Sequence, residues 1–466
     1  MMRALSVASE AVPLVKTGGL ADVAGALPGA LAAEGVEMRT LLPGYPAVMA
    51  AATGPAHDLG ETFGGPARLV EGRLGQTTLY ALDAPHLFDR AGGPYLGPDG
   101  ADWPDNPERF AALSMAAARI GAEGVDGWRP DLMHLHDWQA ALTPVYLQAL
   151  GARVPTIVTI HNIAFQGLAP AEKLAALGLP AEGFTSEGFE YYGQISALKA
   201  GLVHADAINT VSPTYAAELL EPEFGMGLDG LLRARRGVLC GILNGIDTAA
   251  WTPPYASPRG KAKHTRALRE EFGLPPSDGP LAIVISRLTH QKGLDLLLEA
   301  LPALTGTGGQ LAMLGSGEPA LEAAFRDAAE AEPNISVRFG YDEALSHRMM
   351  AGGDAILVPS RFEPCGLTQL YGLRHGTIPV VALTGGLADT VINASPAGIA
   401  AKAATGLQFH PVTSERLAQA LVKLTTLWSD RPLWQRLMRN AMAHPVGWDV
   451  SARAYADLMK SLVTPS

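Results

Sequence analysis

Short apolar runs alternate with helix-forming segments along most of this 466-residue chain. This alternation is typical of βαβ units, in which parallel strands form a sheet and helices cover its faces. A chain of this length is too long for one ordinary core and suits two domains of about 200 residues each. The predicted strands are residues 4–9, 38–42, 77–83, 132–136, 156–161, 207–211, 238–243, 281–286, 310–314, 335–339, 355–359 and 378–383.

Residues 251–263 interrupt the alternation with Pro, Gly and basic residues, a composition typical of a linker. The sequence therefore predicts an α/β protein with an N-terminal Rossmann-like domain over residues 1–245 and a second over residues 246–445. Residues 446–466 contain an amphipathic helix, at about 451–462, which we expect to pack back onto the first domain.

Composition excludes several classes of function. A net charge of −11 argues against nucleic acid or an anionic membrane as a partner. The two cysteines indicate a reducing compartment rather than a disulfide framework. No signal peptide or membrane-spanning run is visible in the sequence, so we expect a cytoplasmic protein.

The string Thr-Gly-Gly-Leu-Ala-Asp occurs twice, at residues 17–22 and 384–389, each time between a predicted strand and a predicted helix. A Gly-Gly turn there lets a ligand approach the backbone, and its free N–H groups and the helix N-terminus suit a phosphate. Lys16 adds a cation beside Gly18 and Gly19. Two such turns predict two halves that face each other across a deep cleft.

Two cations follow the strand at 281–286. Arg287 and Lys292 are expected at the carboxyl end of this strand, the edge at which ligands bind in open α/β sheets. Together they would neutralise a diphosphate. The alternative is a surface salt-bridge pair.

The segment after the strand at 355–359 has the same arrangement. Glu363 is predicted to bind sugar hydroxyls, since a carboxylate is unfavourable beside phosphate, and Cys365 to pack closely around the ligand. The helix that follows would offer N–H donors from Gly366, Leu367 and Thr368. Tyr341 ends another strand, where it can stack on a base or serve as a core-edge aromatic.

In the first half, Asp137, His161, Asn162 and Asn244 all follow predicted strands and converge on one sheet edge. Asp137 is the candidate for binding a sugar hydroxyl. His134 and His136 share one strand face, but no third ligand follows at a suitable spacing, so no metal site is predicted. Residues 315–320 match G-x-G-x-x-A, and only this weak motif favours an NAD-dependent oxidoreductase.

Taken together, the motifs resemble those of the bacterial glycogen synthases and plant starch synthases over essentially the whole chain. The matching segments are KTGGLADV from Lys16, DNPERF from Asp105, HDWQ from His136, TIHNIAFQG from Thr159, TVSPTYAAE from Thr210, LNGID from Leu243, SRLTHQKG from Ser286, SRFEPCGLTQLYGL from Ser360 and TGGLADT from Thr384.

The resemblance implies a GT-B glycosyltransferase that transfers glucose, with retention of configuration, from ADP-glucose to an α-1,4-glucan without a cofactor or a metal. UDP-glucose as the donor, a glucan phosphorylase and a non-catalytic sugar-nucleotide-binding protein are the alternatives. The resemblance to the glycogen and starch synthases implies that Tyr95 and the loop 105–109 lie toward the acceptor and that Tyr341 stacks on adenine. It also implies diphosphate contacts from Lys16, Gly19, Arg287, Lys292, Leu367 and Thr368, and sugar contacts from Asp137, His161, Asn162, Asn244, Glu363, Cys365 and Gly366.

Overall fold

The computed structural model describes residues 1–463, and the chain divides into two compact units. Unit 1 comprises Met1–Asn244 together with the chain from Trp448 onward, and unit 2 is Gly245–Gly447. The strands are β1 Met2–Val7, β2 Val36–Pro43, β3 Ala56–Glu61, β4 Pro66–Leu74, β5 Thr77–Asp83, β6 Leu132–His136, β7 Thr156–Ile160, β8 Leu168–Pro170, β9 Glu190–Tyr191, β10 Gln194–Ser196, β11 Ala207–Thr210, β12 Leu239–Gly241, β13 Leu281–Ile285, β14 Gln310–Gly315, β15 Ile335–Phe339, β16 Ala355–Val358, β17 Ile378–Ala382 and β18 Leu407–Phe409.

The helices alternate with these strands along most of the chain. They are α1 Gly19–Leu31, α2 Pro46–Ala51, α3 Pro85–Phe88, α4 Asn106–Glu123, α5 Asp137–Ala140, α6 Thr143–Ala149, α7 Ala197–His204, α8 Pro213–Glu218, α9 Asp229–Ala234, α10 Ala262–Phe272, α11 Leu294–Thr305, α12 Pro319–Ala331, α13 Glu343–Gly352, α14 Thr368–His375, α15 Gly385–Thr390, α16 Pro396–Ala400, α17 Ser414–Ser429, α18 Arg431–Ala443 and α19 Trp448–Val463. Short 3-10 helices are Ala32–Glu34, Ala171–Lys173, Ala181–Gly183, Arg236–Val238, Pro258–Gly260 and His290–Lys292.

Unit 1 contains a nine-stranded sheet in the order β12-β11-β7-β6-β1-β2-β5-β4-β3. From β12 to β5 the neighbouring strands are parallel, whereas β4 and β3 are antiparallel additions at the edge. The central strands β1 and β6 are pairing neighbours, although more than a hundred residues separate them along the chain. Their carboxyl ends therefore mark a topological switch point, the usual ligand position in an open α/β sheet.

The last helix, α19, packs within unit 1. Trp448, Tyr455 and Met459 are buried in one cluster with Val23 and Leu27 of α1. The Asn209 side chain donates a hydrogen bond to the Tyr455 hydroxyl at 3.0 Å. The helix runs over Trp448–Val463, three residues earlier at its start than the sequence predicts.

Unit 2 contains a six-stranded, wholly parallel sheet in the order β15-β14-β13-β16-β17-β18. This is the doubly wound order in which the chain moves outward from β13 and then returns to start again at β16. Leu281, Ala282, Ile283 and Val284 of β13 are buried because helices cover both faces of the sheet.

Several strands lack the features on which the sequence prediction depends, and it missed them: β3, β4, β8, β9, β10 and β18. In the β3–β4 hairpin, polar and exposed residues stand between the buried ones. The others are two or three residues long, too short for a pattern. Predicted strands also end early: β1 stops at Val7, β7 at Ile160 and β12 at Gly241.

Candidate active site

A cavity of about 190 Å³ lies in unit 2, at the carboxyl ends of β13 and β16. These strands are neighbours in the sheet, and their following connections lead to opposite sides, which leaves a gap at the strand ends. The cavity brings together four of the predicted residues with several others. The lining consists of Ile285, Ser286, Arg287, Lys292, Leu294, Leu357, Val358, Pro359, Ser360, Glu363 and Thr368.

Gly293 fixes the distance between the two loops that carry these side chains. It directly precedes α11 with a φ of +65°, and a Cβ atom there would lie 2.0 Å from the Pro359 carbonyl oxygen. Only glycine permits both this conformation and this approach. The Lys292 loop is thereby held against the end of β16.

The charges in the cavity consist of two cations and one carboxylate. The Lys292 ammonium lies 2.5 Å from Glu363 Oε2, which also accepts a hydrogen bond from the Ser360 hydroxyl at 2.8 Å. Within residues 1–463, the exposed Arg287 guanidinium makes no ion pair or side-chain hydrogen bond. A negatively charged ligand would therefore encounter a cation whose charge is uncompensated.

The second Thr-Gly-Gly turn differs from the expectation that its N–H groups are free for a phosphate. Gly386 donates its N–H to the Glu363 carbonyl oxygen at 3.1 Å. Cβ atoms at Gly385 and Gly386 would lie 2.0 Å from the Glu363 and 2.2 Å from the Cys365 carbonyl oxygen. These glycines let the turn pack closely against the backbone of Glu363 and Cys365. The turn therefore holds in place the segment from which the Glu363 side chain extends into the cavity.

The remaining predicted residues of unit 2 lie around the cavity without lining it. Cys365, Gly366 and Leu367 form the turn between Glu363 and the first residue of α14, and Cys365 is buried. Tyr341 follows β15, two strands away from the end of β13, and is 79% exposed. Gly315 and Gly317 allow close approach to the carbonyl oxygens of Ser286 and Leu288, which is a packing role.

In unit 1, Asp137 follows β6 directly and adopts a φ of +52°, an unusual conformation for a residue other than glycine. Its carboxylate accepts the N–H of His161 at 2.6 Å and that of Asn162. Burial raises the pKa of Asp137 to about 7, although these hydrogen bonds oppose the shift. Three predicted residues thus meet at the ends of β6 and β7, with backbone strain of the kind found at functional sites.

The His161 ring also contacts the buried side chain of His136. His136 Nε2 is 3.1 Å from the Ser6 hydroxyl, and His136 Nδ1 is 2.9 Å from His161 Nε2. Burial lowers the pKa of His136 to about 3 and that of His161 well below its usual value. The rings are therefore neutral near pH 7, and each contact needs one donor and one acceptor, which fixes their tautomers relative to each other.

The first Thr-Gly-Gly turn carries Lys16, whose ammonium is 2.8 Å from Asp22 and whose side chain is 46% exposed. Here too the N–H groups are not all free. Thr17 and Gly18 donate theirs to the carboxylate of Glu10, a buried residue that the sequence reasoning did not select. Glu10 could have been selected from the sequence, because it is a charged residue three positions after the end of β1 and precedes the Lys16 turn.

Two further predictions concern the rest of unit 1. The Oδ1 atom of Asn244 is buried and, within the described residues 1–463, has no hydrogen-bond partner. The Tyr95 hydroxyl is 2.7 Å from that of Ser9. His134 and His136 belong to no cluster of three metal-ligating side chains in the part of the chain that the structure describes.

Comparison with known proteins identifies the family. The family model described as "Starch synthase catalytic domain" matches residues 3–234, and that described as "Glycosyl transferases group 1" matches residues 266–443. A glycogen synthase of Paracoccus denitrificans is 69% identical over 99% of this chain and 100% of its own length. The chain belongs to the glycogen and starch synthase family. A glycogen synthase of a Jannaschia species is 59% identical, with 99% of each chain covered.

Family membership makes the chain a glycosyltransferase enzyme and confirms the resemblance seen in the sequence. The catalytic domain of starch synthase IV from Arabidopsis thaliana, solved with ADP and acarbose, is 29% identical and has a TM-score of 0.87 over the whole of both chains. The predicted fold class, two Rossmann-like α/β domains of the GT-B type, is confirmed. No helix within residues 1–463 combines the length and the apolarity needed to cross a membrane.

Proposed function

We propose that this enzyme elongates an α-1,4-glucan by transferring glucose from ADP-glucose to the non-reducing end, with retention of configuration and release of ADP. The family supports the glucan and the glucosyl donor. The ADP and acarbose named with starch synthase IV support an adenine nucleotide and an acceptor of linked sugars.

The observation that carries this proposal is the cavity of unit 2. A nucleoside diphosphate sugar presents two phosphates beside a neutral, hydroxyl-rich ring. Arg287, Lys292 and the N-terminus of α14 at Thr368 offer positive charge and donors for the phosphates. Glu363 offers an acceptor for sugar hydroxyls, and the Lys292 ammonium, 2.5 Å from Oε2, holds this side chain in place.

Breaking the bond between the glucose C1 atom and the phosphate oxygen leaves a sugar with oxocarbenium character and increases the negative charge on the diphosphate. Arg287 and Lys292 would stabilise that charge more strongly in the transition state than in the ground state, which is the condition for a faster reaction. We assign Lys16, Gly18 and Gly19 of unit 1 to phosphate binding. The structure reduces the number of N–H groups available there, so Lys16 would be the main contributor.

Retention requires attack on the face from which the diphosphate leaves, or a nucleophile on the opposite face. We propose same-face attack by the acceptor hydroxyl, with the leaving phosphate accepting its proton and the His161 carbonyl oxygen stabilising the sugar cation. The neutral His161 ring favours this assignment, because a protonated ring would repel a cation. Asp137 would orient the sugar and hold the His161 and Asn162 backbone.

The other predicted contacts complete the proposal. Asn244 offers a sugar hydroxyl a buried oxygen that has no partner among residues 1–463, and exposed Tyr341 offers a ring face to adenine. We further assign Tyr95 to the acceptor, Cys365 and Gly366 to the sugar, and Leu367 and Thr368 to the phosphates. The cytoplasmic location stays a prediction, supported by the low cysteine content.

The test is nucleotide release by the purified full-length chain with glycogen, in the presence of a chelator, with ADP-glucose and UDP-glucose compared. We expect ADP release from ADP-glucose and the same rate without chelator. Turnover with UDP-glucose alone would overturn the choice of donor. Donor binding without release from either nucleotide sugar would favour the non-catalytic alternative. A covalent glucosyl-enzyme trapped on Asp137 or Glu363 would contradict same-face attack.

A further inference from the structure

Glu10 is a buried carboxylate, only 3% exposed, that joins two separate segments of unit 1. Its Oε1 atom accepts the Thr17 hydroxyl at 2.9 Å and the Tyr95 hydroxyl at 3.2 Å. Its Oε2 atom accepts the Thr17 N–H, and the Gly18 N–H also donates to the carboxylate. A buried carboxylate is costly without hydrogen-bond donors, and these contacts supply donors to both Glu10 oxygens.

One of these segments is the turn that leads into α1. Successive N–H groups before a helix form a concave, positively polarised surface that attracts an anion. Here the anion is part of the protein, because the Glu10 carboxylate accepts from both Thr17 and Gly18. Lys16 precedes Thr17 directly, so the Glu10 contacts fix the backbone from which the Lys16 side chain extends.

The other segment is the loop that carries Tyr95. The Tyr95 hydroxyl also lies 2.7 Å from the Ser9 hydroxyl, and its carbonyl oxygen accepts the Asn106 side chain at 3.0 Å. Tyr95 is therefore held at its side-chain hydroxyl and at its backbone carbonyl oxygen. Among these contacts, Glu10 alone bonds to both the Tyr95 and the Thr17 side chains.

We propose that Glu10 is a positioning residue for glucosyl transfer, holding the Lys16 turn and the Tyr95 ring in one geometry so that donor and acceptor contacts are set together. The inference rests on the proposed function, which assigns Lys16 to the donor phosphates and Tyr95 to the acceptor. Burial raises the pKa of Glu10, while the hydrogen bonds from Thr17, Tyr95 and Gly18 act in the opposite direction.

The first test compares Glu10→Gln with the wild-type chain in ADP release, with donor and glycogen concentrations varied separately. Glutamine keeps the shape but replaces one acceptor oxygen by an NH2 donor, which must face either the N–H groups of the turn or the Thr17 and Tyr95 hydroxyls that now donate to Oε1. We expect kcat/KM to fall about 10–100-fold for both substrates, the size of effect that misplacement of about 1 Å produces. Glu37→Gln is the matched control, because Glu37 also accepts a hydrogen bond in unit 1, from Arg39 at 3.0 Å, and lies outside the proposed site.

The second test separates positioning from a general structural role. If Glu10 acts through Lys16, then Glu10→Gln should lower kcat/KM for the donor much less in a Lys16→Ala background than in the wild type, about 3-fold or less. Tyr95→Phe, which removes only the hydroxyl, should lower kcat/KM for glycogen and leave that for the donor nearly unchanged. The inference would be overturned if the double variant lost kcat/KM by the product of the two single losses, which would mean that Glu10 and Lys16 act independently. It would also be overturned if Glu10→Gln had the same kcat and KM values as the wild type. Failure of the wild-type chain itself to release nucleotide would instead reject the proposed function.

Discussion

Replacing Gly293 by alanine should change the geometry of the donor cavity and lower activity by more than the accompanying loss of stability of unit 2 explains. The residue has a φ of +65°, and its added Cβ would lie 2.0 Å from the Pro359 carbonyl oxygen. Ordinary contacts of such an atom begin at 3.4 Å, so the two loops must separate by about 1.4 Å. Lys292 precedes Gly293, and Ser360 and Glu363 follow Pro359, so the shift would act directly on the cavity wall.

Gly273 provides the matched control. It ends α10 with a φ of +67°, and a Cβ there would have no atom within 4 Å. Alanine at either position should cost about 1–2 kcal/mol for the left-handed backbone. Only Gly293→Ala adds the overlap, and misplacement by 1 Å or more can lower a rate about 100-fold, equivalent to about 2.7 kcal/mol.

The assay is urea unfolding of both variants together with kcat/KM for ADP release. We expect a loss of activity with Gly293→Ala that its loss of stability does not explain, and near-normal activity with Gly273→Ala. Equal activities in the two variants would refute the argument, because the predicted overlap would then have no effect on the cavity.

Two further predictions concern charge. Arg287→Ala should lower kcat roughly 10²–10³-fold, as the loss of a donor to developing negative charge does. Arg266→Ala, on the exposed side of α10, is the control and should leave kcat unchanged. Near-normal turnover of Arg287→Ala in initial-rate assays would contradict the proposed mechanism. Because burial raises the pKa of Asp137 to about 7 from 3.8, the folded protein retains a proton that the unfolded chain has released between these pH values. The Asp137 carboxyl therefore makes the free energy of unfolding fall as pH rises from about 4 to 7, by up to about 1.4 kcal/mol per pH unit. In urea unfolding at pH 5, 6 and 7, the free energy of unfolding of Asp137→Asn should fall less with pH than that of the wild type.

The parallel sheets could be predicted because their strands are buried on both faces. β13, β16 and β17 appear in the sequence as uninterrupted apolar runs between helical segments, and almost all of their residues are buried. In the β3–β4 hairpin at the sheet edge, β3 has no buried residue and β4 mixes exposed with buried residues, so pairing rather than a run of apolar residues defines these two strands. The three-residue β18 carries too little sequence for any pattern.

In each unit, position after a strand was enough to select candidates, Asp137 in unit 1 and Arg287 and Glu363 in unit 2, because side chains that follow the parallel strands of a sheet gather at one edge of that sheet. What each glycine and each N–H group does could not be read in the same way. The same six-residue string packs against the Glu363 backbone in one copy and bonds to Glu10 in the other. Residues outside the string decide that difference, so the string alone does not record it.

The position of α19 has a consequence for the synthesis of the chain. Unit 2 begins and ends at adjacent points, since Ile246 donates its N–H to the Val446 carbonyl oxygen at 2.8 Å, so it is a continuous insertion in unit 1. On a ribosome that adds roughly 5–20 residues per second, Gly245–Gly447 takes about 10–40 s to emerge. Throughout that time the nascent N-terminal sheet lacks Trp448, Tyr455 and Met459, and apolar surface on α1 stays uncovered. The N-terminal part of unit 1 is therefore made first and completed last. A chain that stops anywhere before α19 keeps the apolar face of α1 uncovered and still needs a chaperone.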